Sequence, residues 1–286
     1  MINITRDYKP LGLSRIIDRF ESTYNKNIKF MSVRRDNLIS LLSNAITICQ
    51  WWSFDLTEEN KQKSITALKL AAKAGEAIFR LGREPEKEQR VVIDDILDAT
   101  YNGESLLWEG GFLSAIRWQE AFFCAAIVRD KAVMDSLVQF PVSLMRQCST
   151  KSLEAEYLLV ELIQCIHRRE PFETFMMHLT NAGKEITSDE KKHPWVEYGS
   201  GAKFDFIIAF MLKDKEAPKD PSEALASALT EYWNYHERHC DKGYQQPRFY
   251  MPIPLLGLTC MAKDYGNELN VQSDFIPQFY IDGDYL

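Results

Sequence analysis

A helical period of apolar residues runs through most of this sequence and limits its fold more than any other feature. Alternating apolar patterns, which would indicate half-buried strands, are scarce. Over residues 38–52 the apolar side chains follow the i, i+3, i+4, i+7 spacing of an amphipathic helix, at Leu38, Leu41, Leu42, Ala45, Ile48, Cys49 and Trp52. The period predicts a chain built of helices that each bury one face.

A second helix is predicted directly after this one. Thr57 is a suitable N-cap, and Glu58 and Glu59 follow it in the first turn, where the helix dipole favours negative charge. The apolar face of this helix includes small residues that allow close packing by a neighbour, and it consists of Ile65, Leu68, Ala72, Gly75 and Phe79. Together the two segments predict an antiparallel helical hairpin.

The remaining chain continues the helical pattern with two interruptions. The charged stretch 83–90 breaks it, and the apolar residues after that stretch fit either a short strand or the start of a helix. Residues 183–203, which contain HPW and GSG, predict a long loop. Further helices are predicted over residues 112–129, 131–140, 151–169, 172–182 and 204–212. We therefore predict an all-α fold of packed antiparallel helix pairs, in a single domain over residues 1–286, with at most a minor strand near 91–93.

Charge and hydropathy exclude several classes of protein. The net charge of −7 argues against a nucleic-acid partner, because phosphate binding needs a basic face. The first 20 residues are interrupted by charge, and the longest uncharged apolar stretch, 251–262, is too short to span a membrane. The six cysteines never form a C-x-x-C pair, which is typical of free thiols in a reducing compartment. We expect a cytoplasmic protein without membrane association.

The segment 233–243, WNYHERHCDKG, resembles a metal site because His236, His239 and Cys240 lie within five positions. A helix-start signal at 220–221 and the glycine that ends the segment place these residues in the last turn of a helix. The histidines are three positions apart, whereas the H-E-x-x-H zinc motif needs four. A structural zinc site would also need a fourth ligand, and the sequence offers no second cluster. We interpret the segment as a helix end, and we predict no metal and no cofactor.

No other pattern indicates catalysis. The sequence lacks a G-x-S-x-G elbow, a Walker loop and a G-x-G-x-x-G run. Asp94, Asp95 and Asp98 could place two carboxylates on one helical face, as general acid–base chemistry requires, but carboxylates at such spacing are common on surfaces. We predict that the protein is not an enzyme.

Two passages resemble a known protein family. The first, residues 112–145, contains Trp118, Ala125, Arg129, Asp130, Leu137 and Pro141. The second, residues 252–281, contains Leu258, Ala262, Asp264, Gly266, Ser273, Asp274, Phe275 and Pro277, and an E-Y-W run at 231–233 lies between the two. In this order the passages are similar to the immunity protein 49 family, bacterial proteins encoded beside polymorphic toxins. The similarity extends from about Leu38 to the end of the chain.

The resemblance implies a mainly helical protein that binds its cognate toxin and neutralises it without catalysis, as part of bacterial competition. It implies structural roles for the motif residues, with Arg129 and Asp130 at a helix end and Pro277 at a bend in the tail. A cytoplasmic immunity protein implies a toxin that acts in the cytosol, such as a nuclease or an NAD-directed enzyme. Two alternatives remain open: a helical adaptor or scaffold protein, and a metal-dependent enzyme that uses His236 and His239.

A toxin that binds nucleic acid is expected to be basic, and this protein is acidic. Complementary charge would speed association, and buried aromatic anchors would slow dissociation. The candidate contact residues form a dense acidic run with two aromatic side chains: Asp94, Asp95, Asp98, Tyr101, Glu104, Trp108 and Glu109.

Overall fold

Helices make up 67% of the computed structural model, which describes residues 1–5, 10, 12–30, 32, 34–108, 110–187, 193–213, 219–239 and 247–285. They are α1 (Leu13–Phe30), α2 (Asp36–Trp52), α3 (Glu58–Arg83), α4 (Ala115–Ile127), α5 (Lys131–Leu137), α6 (Val142–Met145), α7 (Glu154–Arg168), α8 (Phe172–Thr187), α9 (Ala202–Met211), α10 (Pro221–His239), α11 (Ile253–Asp264) and α12 (Gln278–Asp282). The predicted all-α fold is confirmed.

The predicted helical hairpin is α2 and α3, which pack against each other along their length. Thr57 caps α3 as expected, since its side chain accepts a hydrogen bond from the backbone N–H of Asn60 at 3.2 Å. Gly75 of α3 lies against Ala121 of α4 so closely that a Cβ at position 75 would overlap the alanine methyl group. The small residue therefore allows the close approach of α3 and α4 that the sequence indicated.

The strands of the described residues form two small sheets. β2 (Gln89–Ile93) and β3 (Leu97–Tyr101) make an antiparallel hairpin in which Val91 faces Ala99, so the predicted minor strand is confirmed and has a partner. β1 (Ile2–Ile4) pairs in parallel with β4 (Val271–Ser273). This second pair was not predicted, because three-residue strands leave no periodic signal.

The predicted loop over residues 183–203 is wrong for most of its length. α8 extends to Thr187, and Val196–Gly201 forms a π-helix that continues directly into α9. Glycines in this stretch indicated a loop, but Gly199 has a packing role. A Cβ at Gly199 would lie 2.5 Å from the indole ring of Trp195, so only glycine permits this contact.

α10 begins and continues as predicted from its start signal. The side chain of Asp220 accepts a hydrogen bond from the backbone N–H of Ser222 at 2.8 Å, and the helix runs to His239. Cys240 and Gly243 lie outside the described residues. One connected cluster of buried hydrophobic side chains has members in α2 to α5, α7, α9 to α11 and the β2–β3 hairpin.

Candidate functional site

The described candidate contact residues lie on one continuous segment, residues 89–108, which we call the hairpin surface. It consists of the β2–β3 hairpin and the turns that follow it. The side chains of Asp94, Asp95, Asp98, Glu104 and Trp108 are exposed and that of Tyr101 is half-buried, whereas Glu109 lies outside the described residues. The three aspartates lie in and after a β-turn, so they do not share a helical face and do not form the acid–base arrangement considered from the sequence.

Two carboxylates of the hairpin surface have cationic partners. Lys73 of α3 forms an ion pair with Asp94. Arg90 donates from Nε and a terminal nitrogen to both carboxylate oxygens of Asp98, at 2.7 and 2.6 Å, and these hydrogen bonds lower the pKa of Asp98. Asp95 and Glu104 form no ion pair with any described residue. The uncompensated negative charge of this surface therefore comes from fewer groups than the sequence indicated.

The hairpin surface also exposes two apolar side chains. Trp108 is 66% exposed, and Val92, which faces Asp98 across the hairpin, is 53% exposed. Trp108 is the one tryptophan among the described residues with so large an exposed fraction. Large aromatic side chains are usually buried, and those at protein–protein contacts often contribute much of the binding free energy.

A second polar arrangement lies inside the protein, and no sequence pattern indicates it. Glu156 on α7 and Lys203 on α9 are each 1% exposed, and the Lys203 ammonium lies 3.2 Å from a carboxylate oxygen of Glu156. Lys203 also donates to Gln119 of α4 at 3.2 Å. The side chains of Gln119, Trp195 and Ser200 each donate to the Glu156 carboxylate, the last two at 2.7 Å. We call these five residues the buried polar cluster.

The buried polar cluster satisfies its own hydrogen-bonding groups. Burial alone would raise the pKa of Glu156, but the Lys203 charge and three hydrogen-bond donors outweigh it, so its pKa is lowered and the carboxylate is ionised. All three Lys203 contacts are to oxygen atoms of the cluster. An arrangement of this kind fixes α4, α7, the π-helix and α9 relative to each other.

A cleft of about 770 Å³ lies over this cluster. Its wall includes Arg117 of α4, which donates to Ser43 at 2.9 Å and to Glu120 at 2.7 Å. Tyr232 of α10 also contributes, and burial raises its pKa well above the ordinary value. The cleft therefore combines an ion pair with aromatic surface.

The histidines of the HERHC segment pack against aromatic rings. The imidazole of His236 stacks on Phe249 with ring centroids 4.5 Å apart, and burial lowers its pKa, which favours the neutral ring. His239 lies 5.3 Å from the ring of Tyr235. Among the residues that the structure describes, neither histidine belongs to a group of three close metal ligands. Cys240 lies outside that part of the chain, and the absence of a metal here stays a prediction.

The described cysteines are free and buried, as expected. Burial raises the pKa of Cys165 to about 11 and that of Cys260 to about 12, and it raises those of Cys49 and Cys124 further. The thiol form is therefore dominant at neutral pH, whereas nucleophilic catalysis needs the thiolate. None of these four residues has the environment of a reactive cysteine.

Comparison with known protein families gives a match over most of the chain. The family described as immunity protein 49 matches residues 55–280 of the chain. The chain belongs to the immunity protein 49 family. No curated protein and no solved structure matches it significantly. No helix of the described residues is long and apolar enough to cross a membrane.

The two passages that resemble the immunity protein 49 family meet in the structure. Arg129, between α4 and α5, donates to the backbone carbonyls of Tyr280 and Ile281, and its Nε lies 3.3 Å from Asp264. Arg129 has a left-handed backbone, φ +54°, which ends α4, and the side chain of Asp130 then caps α5 by accepting from the N–H of Val133 at 3.1 Å.

The other motif residues of the family have similar roles. The buried indole of Trp118 donates to the Leu137 carbonyl at 2.9 Å. Gly266 has φ +80° and ends α11, and Pro277 lies at the N-cap of α12. These residues of the two passages therefore fix how the helices of this protein end and pack. No sequence signal distinguishes the buried polar cluster.

Proposed function

We propose that this protein is a non-catalytic immunity protein of the cytosol, which binds a cognate toxin directly and neutralises it. The observation that carries the proposal is the family match over residues 55–280. The buried thiols and the closed polar cluster support a binding role, because neither offers a group poised for catalysis. The toxin we propose acts in the cytosol, as a nuclease or an NAD-directed enzyme, and it is basic.

We propose that the hairpin surface is the toxin contact. An immunity protein needs fast association and slow release, since a free toxin turns over many substrates. Trp108 offers a large apolar anchor whose burial would slow release. Asp95 and Glu104, without ion-pair partners among the described residues, attract a basic toxin from a distance and raise the association rate.

The first experiment tests neutralisation itself. The toxin encoded by the neighbouring gene is expressed in bacteria with and without this protein. We expect growth only when both are present, together with a stable complex on size-exclusion chromatography. Continued toxicity in the presence of soluble, folded protein would overturn the immunity function.

The second experiment tests the contact surface. We expect Trp108→Ala to weaken toxin binding by about 30-fold or more, mainly through faster dissociation, because aromatic anchors contribute about 2 kcal/mol or more. Met177→Ala is the control, since Met177 is also an exposed apolar residue, 52% exposed, but lies on α8. Equal affinities for wild type and Trp108→Ala would exclude Trp108 as an anchor while leaving the rescue experiment intact.

The third experiment tests the charge. Association should slow as salt rises, since exposed charges are screened beyond about 8 Å at physiological ionic strength. The double variant Asp95→Asn with Glu104→Gln should associate more slowly and depend less on salt. A salt-insensitive association rate in the wild type would rule out electrostatic attraction as the cause of fast association. It would not contradict the proposal that the protein forms a complex with the toxin.

A further inference from the structure

The turn between α7 and α8 brings three different metal-ligating side chains together. Cys165 lies in the last turn of α7, Glu170 in the connection, and His178 on α8. One ligand atom from each lies within 4.8 Å of the other two. The spacing Cys-x4-Glu-x7-His matches no motif considered in the sequence, so this group is visible only in the folded chain.

The helix end explains why Glu170 approaches Cys165. Arg169 takes a left-handed backbone, φ +53°, and its N–H donates to the carbonyl of Ile166 at 3.1 Å. The N–H of Glu170 then donates to the carbonyl of Cys165 at 3.1 Å. This pair of hydrogen bonds ends α7 and turns the chain back over its own last turn. The reversal leads directly into α8 and places His178 opposite α7.

The imidazole of His178 has an unused ligand atom. Its Nδ1 is buried and makes no hydrogen bond with any described residue, and it lies 3.6 Å from a carboxylate oxygen of Glu161, one turn before Cys165 on α7. A buried polar nitrogen without a partner is costly unless something binds it. Glu161 thus adds a carboxylate beside His178.

We propose that Cys165, Glu170 and His178 bind a zinc ion, with Glu161 as the fourth ligand. Sulfur, imidazole nitrogen and carboxylate oxygen are the donors that zinc accepts in tetrahedral sites. For three atoms no more than 4.8 Å apart, some point lies within about 2.8 Å of each, whereas zinc bonds are about 2.0–2.3 Å. Side-chain shifts of less than about 1 Å therefore bring these three atoms to bonding distance of one ion.

The thiol is the ligand that selects the class of metal. Thiolate sulfur favours zinc over magnesium and calcium, which prefer oxygen ligands. Binding forms a Zn–S bond and releases the thiol proton to the solvent. The competing contacts are ion pairs of partly exposed groups, Arg146 with Glu161 and Arg168 with Glu170. Such pairs contribute little and can rearrange around the ion.

The site would stabilise a helix that packs weakly. Of the 16 residues of α8, two are fully buried, Phe175 and Ala182. α8 packs against α7 and the π-helix, and the π-helix contains Ser200 of the buried polar cluster. A zinc ion that links α7 to α8 would therefore hold a peripheral helix in place. This role is structural and does not depend on the proposed toxin partner.

The experiment measures binding of zinc and cobalt by the purified full chain after chelation and dialysis. We expect one equivalent of zinc, a higher melting temperature on zinc addition, and with cobalt the absorption bands of a tetrahedral site with a sulfur ligand. Cys165→Ser and His178→Gln should each lower zinc affinity more than about 100-fold, beyond the loss typical of an outer-shell partner. In the cobalt spectra, Cys165→Ser should abolish the sulfur-to-cobalt band, and His178→Gln should abolish the intensity of the tetrahedral bands.

Two control variants test whether zinc binds at the proposed site between α7 and α8. Cys148→Ser removes another buried thiol, and His167→Gln removes a histidine that lies on α7 and contacts Asp135 at 2.7 Å. Both should bind zinc like the wild type. Melting curves without metal show whether each variant is folded. No stoichiometric binding by the wild type would overturn the proposal, as would binding that survives loss of Cys165 and His178 or disappears in the double variant His236→Ala, His239→Ala.

Discussion

The hairpin surface and the buried polar cluster contain the same chemistry in opposite surroundings. Arg90 and Asp98 form a bidentate ion pair that water reaches from all sides, with side chains 69% and 57% exposed. Lys203 and Glu156 form an ion pair whose side chains are only 2% and 1% exposed. Solvent can replace the first pair at little cost, whereas nothing can replace the second. An exposed charge can therefore change to match a partner at little cost in stability, whereas loss of one of the buried charges would destabilise the fold.

The largest loss of stability is expected from a change in the buried ion pair of Lys203 and Glu156. Lys203→Met leaves the Glu156 carboxyl group buried and without a cation, so we expect a loss of about 3–5 kcal/mol in the free energy of unfolding. Urea denaturation followed by circular dichroism measures it. The double variant Glu156→Gln, Lys203→Met removes both charges and should recover most of the loss. A single variant as stable as wild type would contradict the view that the cluster holds the fold.

The second-largest loss of stability is expected at Arg129, whose exposed fraction lies between those of the two ion pairs. Arg129 is largely buried and joins α4 to the C-terminal segment through carbonyl groups of Tyr280 and Ile281. We expect Arg129→Ala to cost about 2–4 kcal/mol in urea denaturation, because those carbonyls lose a charged donor. Asp264→Asn is the matched variant: its side chain is 49% exposed, so the cost should be below about 1 kcal/mol. Similar losses in both would contradict this ranking.

Acid should affect the two regions differently. The pKa of Glu156 is lower in the folded protein than in the unfolded chain, so the unfolded chain binds a proton first as the pH falls. The stability from Glu156 is present above its unfolded pKa of about 4.3 and is lost as the pH falls toward the folded value. Urea midpoints between pH 7 and pH 3 should therefore decline more steeply for wild type than for the Glu156→Gln, Lys203→Met variant. Parallel declines would show that the cluster is not the acid-sensitive element.

The smallest expected effect is on the exposed pair. Asp98→Asn removes the charge that faces Arg90 but leaves every side chain in water, so the urea midpoint should not move measurably. The same variant is useful in toxin binding, where it changes charge without changing stability. A clear loss of stability would mean that the hairpin depends on this pair and is not free to vary with a partner.

Much of the helical architecture followed from the sequence because its signals are local. The apolar spacing from Leu38, the cap at Thr57 and the start signal at Asp220 each fix a helix within a few turns of the residues that specify it. The small Gly75 also indicated a close neighbour, which is α4. The sequence of the β2–β3 hairpin fits either a strand or a helix, since a short apolar run is compatible with both. The assignment of residues 1–286 to a single domain stays a prediction.

What the sequence could not determine depends on partners that are distant along the chain. Gly199 suggested a loop, and only the position of Trp195 against it shows why a helix needs glycine there. Lys203 is an ordinary lysine in the sequence, and its partner Glu156 lies 47 residues away. The candidate metal ligands on α7 and α8 likewise meet through one left-handed residue, Arg169. Backbone periodicity acts over a few residues and can be read directly, whereas the pairing of polar groups is decided by which helices pack together.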